Sequence, residues 1–390
     1  MSVSSGLEVF LRRGWKSVEG LRLGLICNPS SVDRRLRLAA DLLWESPDIR
    51  LSALFGPQHG ARGETQDNMI EWESYRDPDT SLPVFSLYGQ TRQPSQEMLE
   101  HVDALVFDVQ DVGARYYTFI YTMALAMQAC GRADKRFIVL DRPNPIGGRL
   151  LEGNLVQPGF RSFVGLYPLP ARHALTVGEA ALLFNRAYGL NCQLEVVEME
   201  GYRRSMSWED TGLPWVMPSP NMPTPDTAQV YPGLCLLEGT NVSEGRGTTR
   251  PFEISGAPWI DPKKLKRRLD DFDLPGAVFR PIWFIPTFHK WTGQMTGGVQ
   301  IHVLDREAFR PFRTGLALLR AYRELGGDDF AWKEPPYEYE YEKLPIDILL
   351  GDDRLRRMIE AGRPLNEMEE SFSDQLEAFA RLRQNYLLYE

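Results

Sequence analysis

The chain has 390 residues, 43% hydrophobic and 25% charged, which is enough apolar material for two domains with a sizeable core. Its formal net charge of −9 excludes a general nucleic-acid binder or a protein held on an anionic membrane, since both need a basic face. No apolar run approaches the roughly 18 residues of a membrane span, and the cysteines Cys27, Cys130, Cys192 and Cys235 form no CxxC pair of a zinc knuckle or redox dithiol.

The N-terminal MSVSSGLEVFLRRGWKS reads as an amphipathic helix without the unbroken apolar stretch of a signal peptide, so a cytoplasmic location is expected. LRLGLICN is then a short apolar run ending in a polar turn, and RRLRLAADLLWES follows with helical spacing. RLSALFGPQHG, VDALVFDVQDVG and RFIVLDRPNP repeat the strand-then-turn pattern around the helical YYTFIYTMALAMQACGRADK. Alternating strands and helices predict βαβ units in a Rossmann-like, doubly wound, mostly parallel α/β sheet. The continuous apolar runs fit strands covered on both faces. LTVGEAALLFNRAYG carries capping-box spacing from Thr176 to Glu179, and QLEVVEM reads as a further strand. The proline-rich run from Trp208 to Pro232 is expected to be irregular and to carry a domain boundary near residue 230. Beyond it, PKKLKRRLDDF and FRTGLALLRAYREL read as helices and AVFRPIWFIP and GGVQIHVLD as strands. Residues 231–390 are thus expected to form a smaller α+β domain that ends in a helical tail.

Four predicted strands of residues 1–230 end in polar loops, at Asn28, at Gln58-His59, at Asp108–Asp111 and at Arg142–Asn144. In an open parallel sheet these ends share one edge, and ligands bind in the crevice outside it. Arg62, Arg115, Tyr116, Tyr117 and His173 belong to the same set of candidates. Turn chemistry alone favours Asn, Asp, Pro and Gly in any one such loop; four together point to a site. A second dense stretch, Leu236–Trp259, gathers Glu238, Asn241, Glu244 and Arg246 on glycine punctuation. Carboxylate, amide and guanidinium groups beside aromatic rings suit a sugar-binding cleft. The absence of GxGxxG and GxxxxGK[ST] leaves no nucleotide cofactor expected, and the absence of HxH and HExxH pairs leaves no metal expected. GxSxG, the nucleophile elbow of a serine hydrolase, is also missing. A saccharide-binding protein without turnover and a phosphate-ester enzyme are the alternatives to a glycosidase.

PQHGARGETQDN, FDVQDVGARYYTFIYTM, VLDRPNPIGG, LPARHALTVGE, PSPNMPTPDTAQVYPG and LEGTNVSEGRGTTRPFE together resemble the NamZ-type exo-β-N-acetylmuramidase family. The resemblance runs from near residue 20 to the closing RLRQNYLLY. It implies an active cleft between a Rossmann-like domain and a smaller one, and hydrolysis of terminal N-acetylmuramic acid from peptidoglycan fragments, as in cell-wall recycling. The family usually reads PEHG where this chain has Pro57-Gln58-His59-Gly60, and that glutamate is the family's leading catalytic candidate. Gln58 keeps the shape but carries no titrating proton. The resemblance therefore directs the proton-carrying role to His59 and Glu64, with Gln58 at the catalytic position. Asp108, Asp111, Arg142 and Asn144 are expected to orient the sugar, with Asn28, Arg62, Arg115, Tyr116, Tyr117, His173, Asn221 and Asn241 as further contacts. Glu244 and Arg246 are expected to close the cleft, Arg246 gripping a lactyl carboxylate with its bidentate fork.

Overall fold

The structure, a computed structural model, describes residues 2–63, 65–66 and 69–390. Glu64, Asp67 and Asn68 lie outside the described residues, so Glu64 has no structural account.

Seven strands build the main sheet: β1 (Arg22–Cys27), β2 (Arg50–Gly56), β3 (Tyr75–Arg76), β4 (Pro83–Ser86), β5 (Ala104–Asp108), β6 (Arg136–Leu140) and β7 (Gln193–Val197). Their order is β3-β4-β2-β1-β5-β6-β7, parallel throughout except for the β3–β4 edge pair. The order reverses between β1 and β5, the switch point of a doubly wound fold. Alternate residues of the strands feed separate cores. Leu23, Leu25, Val106, Ile138 and Leu140 pack with the N-terminal Leu7 and Phe10. Ile26, Leu105, Phe107, Phe137 and Val139 pack with the helix Phe119–Arg132 and the helix Val177–Arg186. This two-sided burial is why the strands read as unbroken apolar runs.

A second, antiparallel sheet has the order β8-β10-β9, with β8 at Ile254–Ala257, β9 at Ala277–Phe284 and β10 at Thr296–Val303. The expected helices at Pro262–Asp270 and Pro311–Gly326 and the helical tail are present. Among the described residues no helix is long and apolar enough to cross a membrane.

The proline-rich run departs from expectation. It holds a short helix, Trp208–Thr211, and a longer one, Pro225–Leu234, that runs through residue 230. Pro225 sits at the first helical position, where a missing N–H costs nothing, and the Thr224 hydroxyl caps the Thr227 amide. This helix crosses Pro311–Gly326 at backbone contact. A Cβ on Gly233 would lie 1.8 Å from the Pro311 carbonyl oxygen, and one on Gly315 2.4 Å from that of Gly233. The crossing fixes the small sheet's helix against the main body. Gly233→Ala is therefore expected to destabilise the protein by about 3 kcal/mol or more, because backbone and not a flexible side chain must move. Gly159→Ala, with nothing within 4 Å, is the control; equal urea midpoints for the two variants would contradict this packing.

Candidate active site

Outside the carboxyl edge of the main sheet lies a narrow cavity of about 40 Å³. From the sheet side it is walled by Gln58 and His59, which follow β2, and by Tyr116, Tyr117 and Thr118, which follow β5. From the other side come Asn221, Tyr231, Glu238, Arg246 and Phe252, and across the top Tyr337 and Glu338. Each of these except Glu338 and Tyr337 lies in a motif singled out in the sequence; all are buried.

Glu238 and Arg246 form the charged floor. The Arg246 guanidinium reaches Glu238 at 2.7 Å and Glu244 at 3.3 Å. The second oxygen of Glu238 accepts the Tyr337 hydroxyl at 2.6 Å. Glu244 lies behind the floor, with Lys290 at 2.8 Å and His289 at 3.2 Å. Burial alone raises the Glu244 pKa, but Lys290, His289 and Arg246 outweigh it and hold the carboxyl below its ordinary value. Arg246 also lies 5.1 Å from the centre of the Phe252 ring.

The roof is Glu338. Tyr337 and Glu340 exchange both backbone hydrogen bonds at 2.9 Å, and Glu338 and Tyr339 between them have φ of 45° and 67°. Two consecutive left-handed residues make a type I′ turn, here without glycine or asparagine. The turn tip places Glu338 in the cavity. Tyr88 donates to Glu338 Oε2 at 3.0 Å, and Gln58 Nε2 lies 3.5 Å from Glu338 Oε1. The same Gln58 nitrogen donates to the Tyr88 oxygen at 3.1 Å, while Gln58 Oε1 accepts from Thr118 at 2.7 Å. Burial pushes the Glu338 pKa up to about 7, with Glu238 adding to the rise and hydrogen bonds from Tyr88 and Gln58 opposing it. Burial first, then Glu338, raises the Tyr88 pKa, so the phenol remains a donor.

The sequence-derived candidates divide. Gln58, His59, Tyr116, Tyr117, Asn221 and Arg246 line the cavity. His59, at φ 72°, has Nδ1 2.8 Å from the Thr65 carbonyl oxygen. Glu244 acts through Arg246. Others are framework. Asp108 and Arg142 form a buried bidentate pair at 2.6 and 2.8 Å, tying β5 to β6. Arg115 donates to the carbonyls of Asn154, Leu169 and Leu349. Asn144 bonds the Leu175 carbonyl and the Ile146 amide. Asp111 and His173 pair at 3.3 Å in the interior, where Leu175 N donates to His173 Nδ1. Asn241 bonds the Asp329 carbonyl and the Ala331 amide, away from the cavity. Asn28 and Arg62 line a different cleft, where Arg62 pairs with Asp77 at 2.9 Å. These residues were expected to touch sugar. In this structure they hydrogen-bond buried backbone or pair with one another, and Arg62 pairs with Asp77, a common use of such side chains at strand ends. Missed altogether were Glu338, Tyr337 and Tyr88, while Tyr231 lies in a quoted motif without having been a candidate. The PPYEYEYE run around Glu338 shows alternating charge with no turn signal. Among the described residues no three His, Cys, Asp or Glu side chains are grouped as metal ligands.

Comparison with known proteins covers the whole chain. The model for "Exo-beta-N-acetylmuramidase NamZ, N-terminal" matches residues 23–226, and that for the C-terminal part of the same proteins matches residues 229–389. The chain is 45% identical over 387 residues to the peptidoglycan beta-N-acetylmuramidase NamZ of Bacillus subtilis, covering 99% of this chain and 91% of that protein. Two crystal structures of DUF1343 family proteins from Bacteroides fragilis superpose on it. One has a TM-score of 0.90 at 36% identity, the other 0.78 at 28%, each covering 100% of this chain and 99% of its own.

Two stability measurements test the charge assignments. Arg246→Met leaves Glu238 and Glu244 buried without their shared cation and is expected to cost about 3–5 kcal/mol; a cost under about 1 kcal/mol would contradict the buried network. Glu338 has the opposite character. Its pKa rises on folding from 4.5 to about 7, so its stabilising share is full below the unfolded value and is lost as pH rises through 7. Glu338→Gln should therefore gain on the wild type between about pH 5 and about pH 8, by up to about 3 kcal/mol. A difference that does not vary with pH in urea unfolding would show that this carboxyl is solvated.

Proposed function

This chain belongs to the NamZ exo-β-N-acetylmuramidase family, and on that footing we propose that it is a glycosidase that removes terminal N-acetylmuramic acid from peptidoglycan-derived saccharides. The observation that carries the reading is the cavity itself: two carboxyl side chains, Glu238 and Glu338, face one narrow space with tyrosine and phenylalanine walls. Glycoside hydrolysis is most often performed between two carboxyl groups, and aromatic faces suit the apolar faces of a sugar ring. A pocket walled by buried residues on both sides takes the end of a saccharide chain and not its middle. Arg246 offers the donor geometry that a lactyl carboxylate needs.

We take the chain as two lobes, residues 1–230 and 231–390, with this cavity between them. The physiological setting we propose is cytoplasmic recycling of wall fragments; the four buried free thiols fit a reducing compartment.

The test is chromophore release from an aryl β-N-acetylmuraminide compared with the matching N-acetylglucosaminide. Turnover selective for the muraminide by at least about tenfold is expected, since a site built for the lactyl carboxylate leaves buried donors unpaired with the simpler sugar. Saturable saccharide binding without turnover at any pH would replace the enzyme by a binding protein.

A further inference from the structure

Glu338 lies where two cavities meet. Among the described residues it is the one that lines both the inner cavity and an open cleft beside it, formed by Glu71, Arg92, Arg161, Phe163 and Tyr339. In that cleft Arg92 is held between the rings of Tyr88 and Tyr339, 4.1 and 4.2 Å from their centres. An exo-acting glycosidase needs an inner space for the sugar it releases and an outer one for the remainder. The scissile oxygen lies between them. Resting on the functional reading above, we propose that Glu338 is the general acid of this enzyme, standing between an inner subsite for the terminal sugar and the outer cleft for the leaving part.

Three independent observations support the placement. Among the described residues, Glu238 and Glu338 are the carboxyl groups lining the inner cavity, and Glu238 is occupied by Arg246 and Tyr337. Among the described residues the Glu338 carboxyl hydrogen-bonds only to neutral groups, Tyr88 and Gln58, and no cation forms an ion pair with it; nearby Arg92 favours the charged form less than burial opposes it. Its backbone is held left-handed in a tight turn without glycine; strain of this kind persists where surrounding structure over-determines it and clusters at active sites. The upward shift of its pKa agrees with a group that keeps a proton near neutrality.

The step balances as a hydrolysis. The bond from the anomeric carbon to the bridging oxygen breaks, and its electron pair stays on that oxygen. The oxygen takes the proton from Glu338 and departs as a hydroxyl of the leaving part. Water, the co-substrate, gives hydroxide to the anomeric carbon, and its other proton is returned through solvent to the Glu338 carboxylate. Gln58 and Tyr88 are positioning residues, since they hold the Glu338 oxygens and donate no proton to substrate.

The experiment compares the wild type and Glu338→Gln on β-N-acetylmuraminides that differ only in leaving group. A dinitrophenolate departs without protonation; an alkoxide such as a sugar hydroxyl does not. The variant is expected to lose about 100-fold or more in kcat/KM on the sugar-linked substrate, the usual contribution of general acid catalysis. On the dinitrophenyl substrate it should lose less than about tenfold, and the basic limb of its pH profile should disappear. Tyr88→Phe removes a hydrogen bond that lowers the Glu338 pKa, so it should move the basic limb to higher pH. Equal losses on both leaving groups with the basic limb intact would overturn the assignment and leave Glu338 a structural residue. An inert Glu338→Gln protein with a native circular dichroism spectrum on both substrates would do the same. If the wild type turns over no muraminide, the glycosidase reading fails first and this inference falls with it, which separates the two failures.

Discussion

Removing a carboxyl group from water is costly unless something inside the protein replaces the water, and this constraint organises the molecule. Asp108 meets Arg142, Glu152 meets Arg172, Glu179 meets Arg204, and Glu244 meets Lys290, His289 and Arg246. These pairs are framework, and their strength lies in what breaking them would expose. Two buried carboxyls have no cationic partner within ion-pair distance among the described residues, and burial pushes both up to about 7. Asp141 is one. Tyr389, Thr176 and the Gly178 amide surround it with donors, and it anchors the C-terminal segment to the end of β6. Glu338 is the other, and it faces a cavity. The same physics makes one a tether and the other a proton store, and only access to a ligand separates them.

The main sheet was legible because its strands are buried on both faces and separated by helices of clear period. The edge that carries the cavity was legible for the same reason, since the polar loops after β2 and β5 supply Gln58, His59, Tyr116 and Tyr117. The identity of the ligand contacts was less so. Asn144, Asp108, Arg142 and Arg115 have the composition of a site and the function of a frame, because turns and sites draw on the same side chains. Nothing local distinguishes an aspartate that will meet an arginine from one that will meet a sugar. Asn241 and Arg246 stand five positions apart in one glycine-rich stretch, yet one fastens a surface loop and the other lines the cavity.

Glu338 escaped notice for a different reason. Its partner Gln58 is 280 positions away in the chain, so their proximity is a property of the fold. The turn that carries it also lacks the asparagine or glycine by which such turns are recognised. A left-handed pair of Glu and Tyr is held instead by tertiary contact: Tyr337 on Glu238, Glu338 on Tyr88, and Tyr339 against Arg92. His59 and Phe252, also left-handed, line the same cavity from opposite sides. The cavity thus concentrates backbone cost that the packed remainder of the fold must offset.

The amide at position 58 follows from the same constraint. Gln58 Nε2 is 3.5 Å from a Glu338 oxygen. A second carboxyl there would place two acids at a distance where both cannot ionise, and they would share one proton with two macroscopic pKa values that belong to the pair. An amide avoids that coupling. It donates to the Tyr88 oxygen with one end and accepts from Thr118 with the other, and it leaves Glu338 to titrate as a single group. Gln58 thus offers only hydrogen bonds, and the carboxyl beside it enters the cavity from a turn near the other end of the chain.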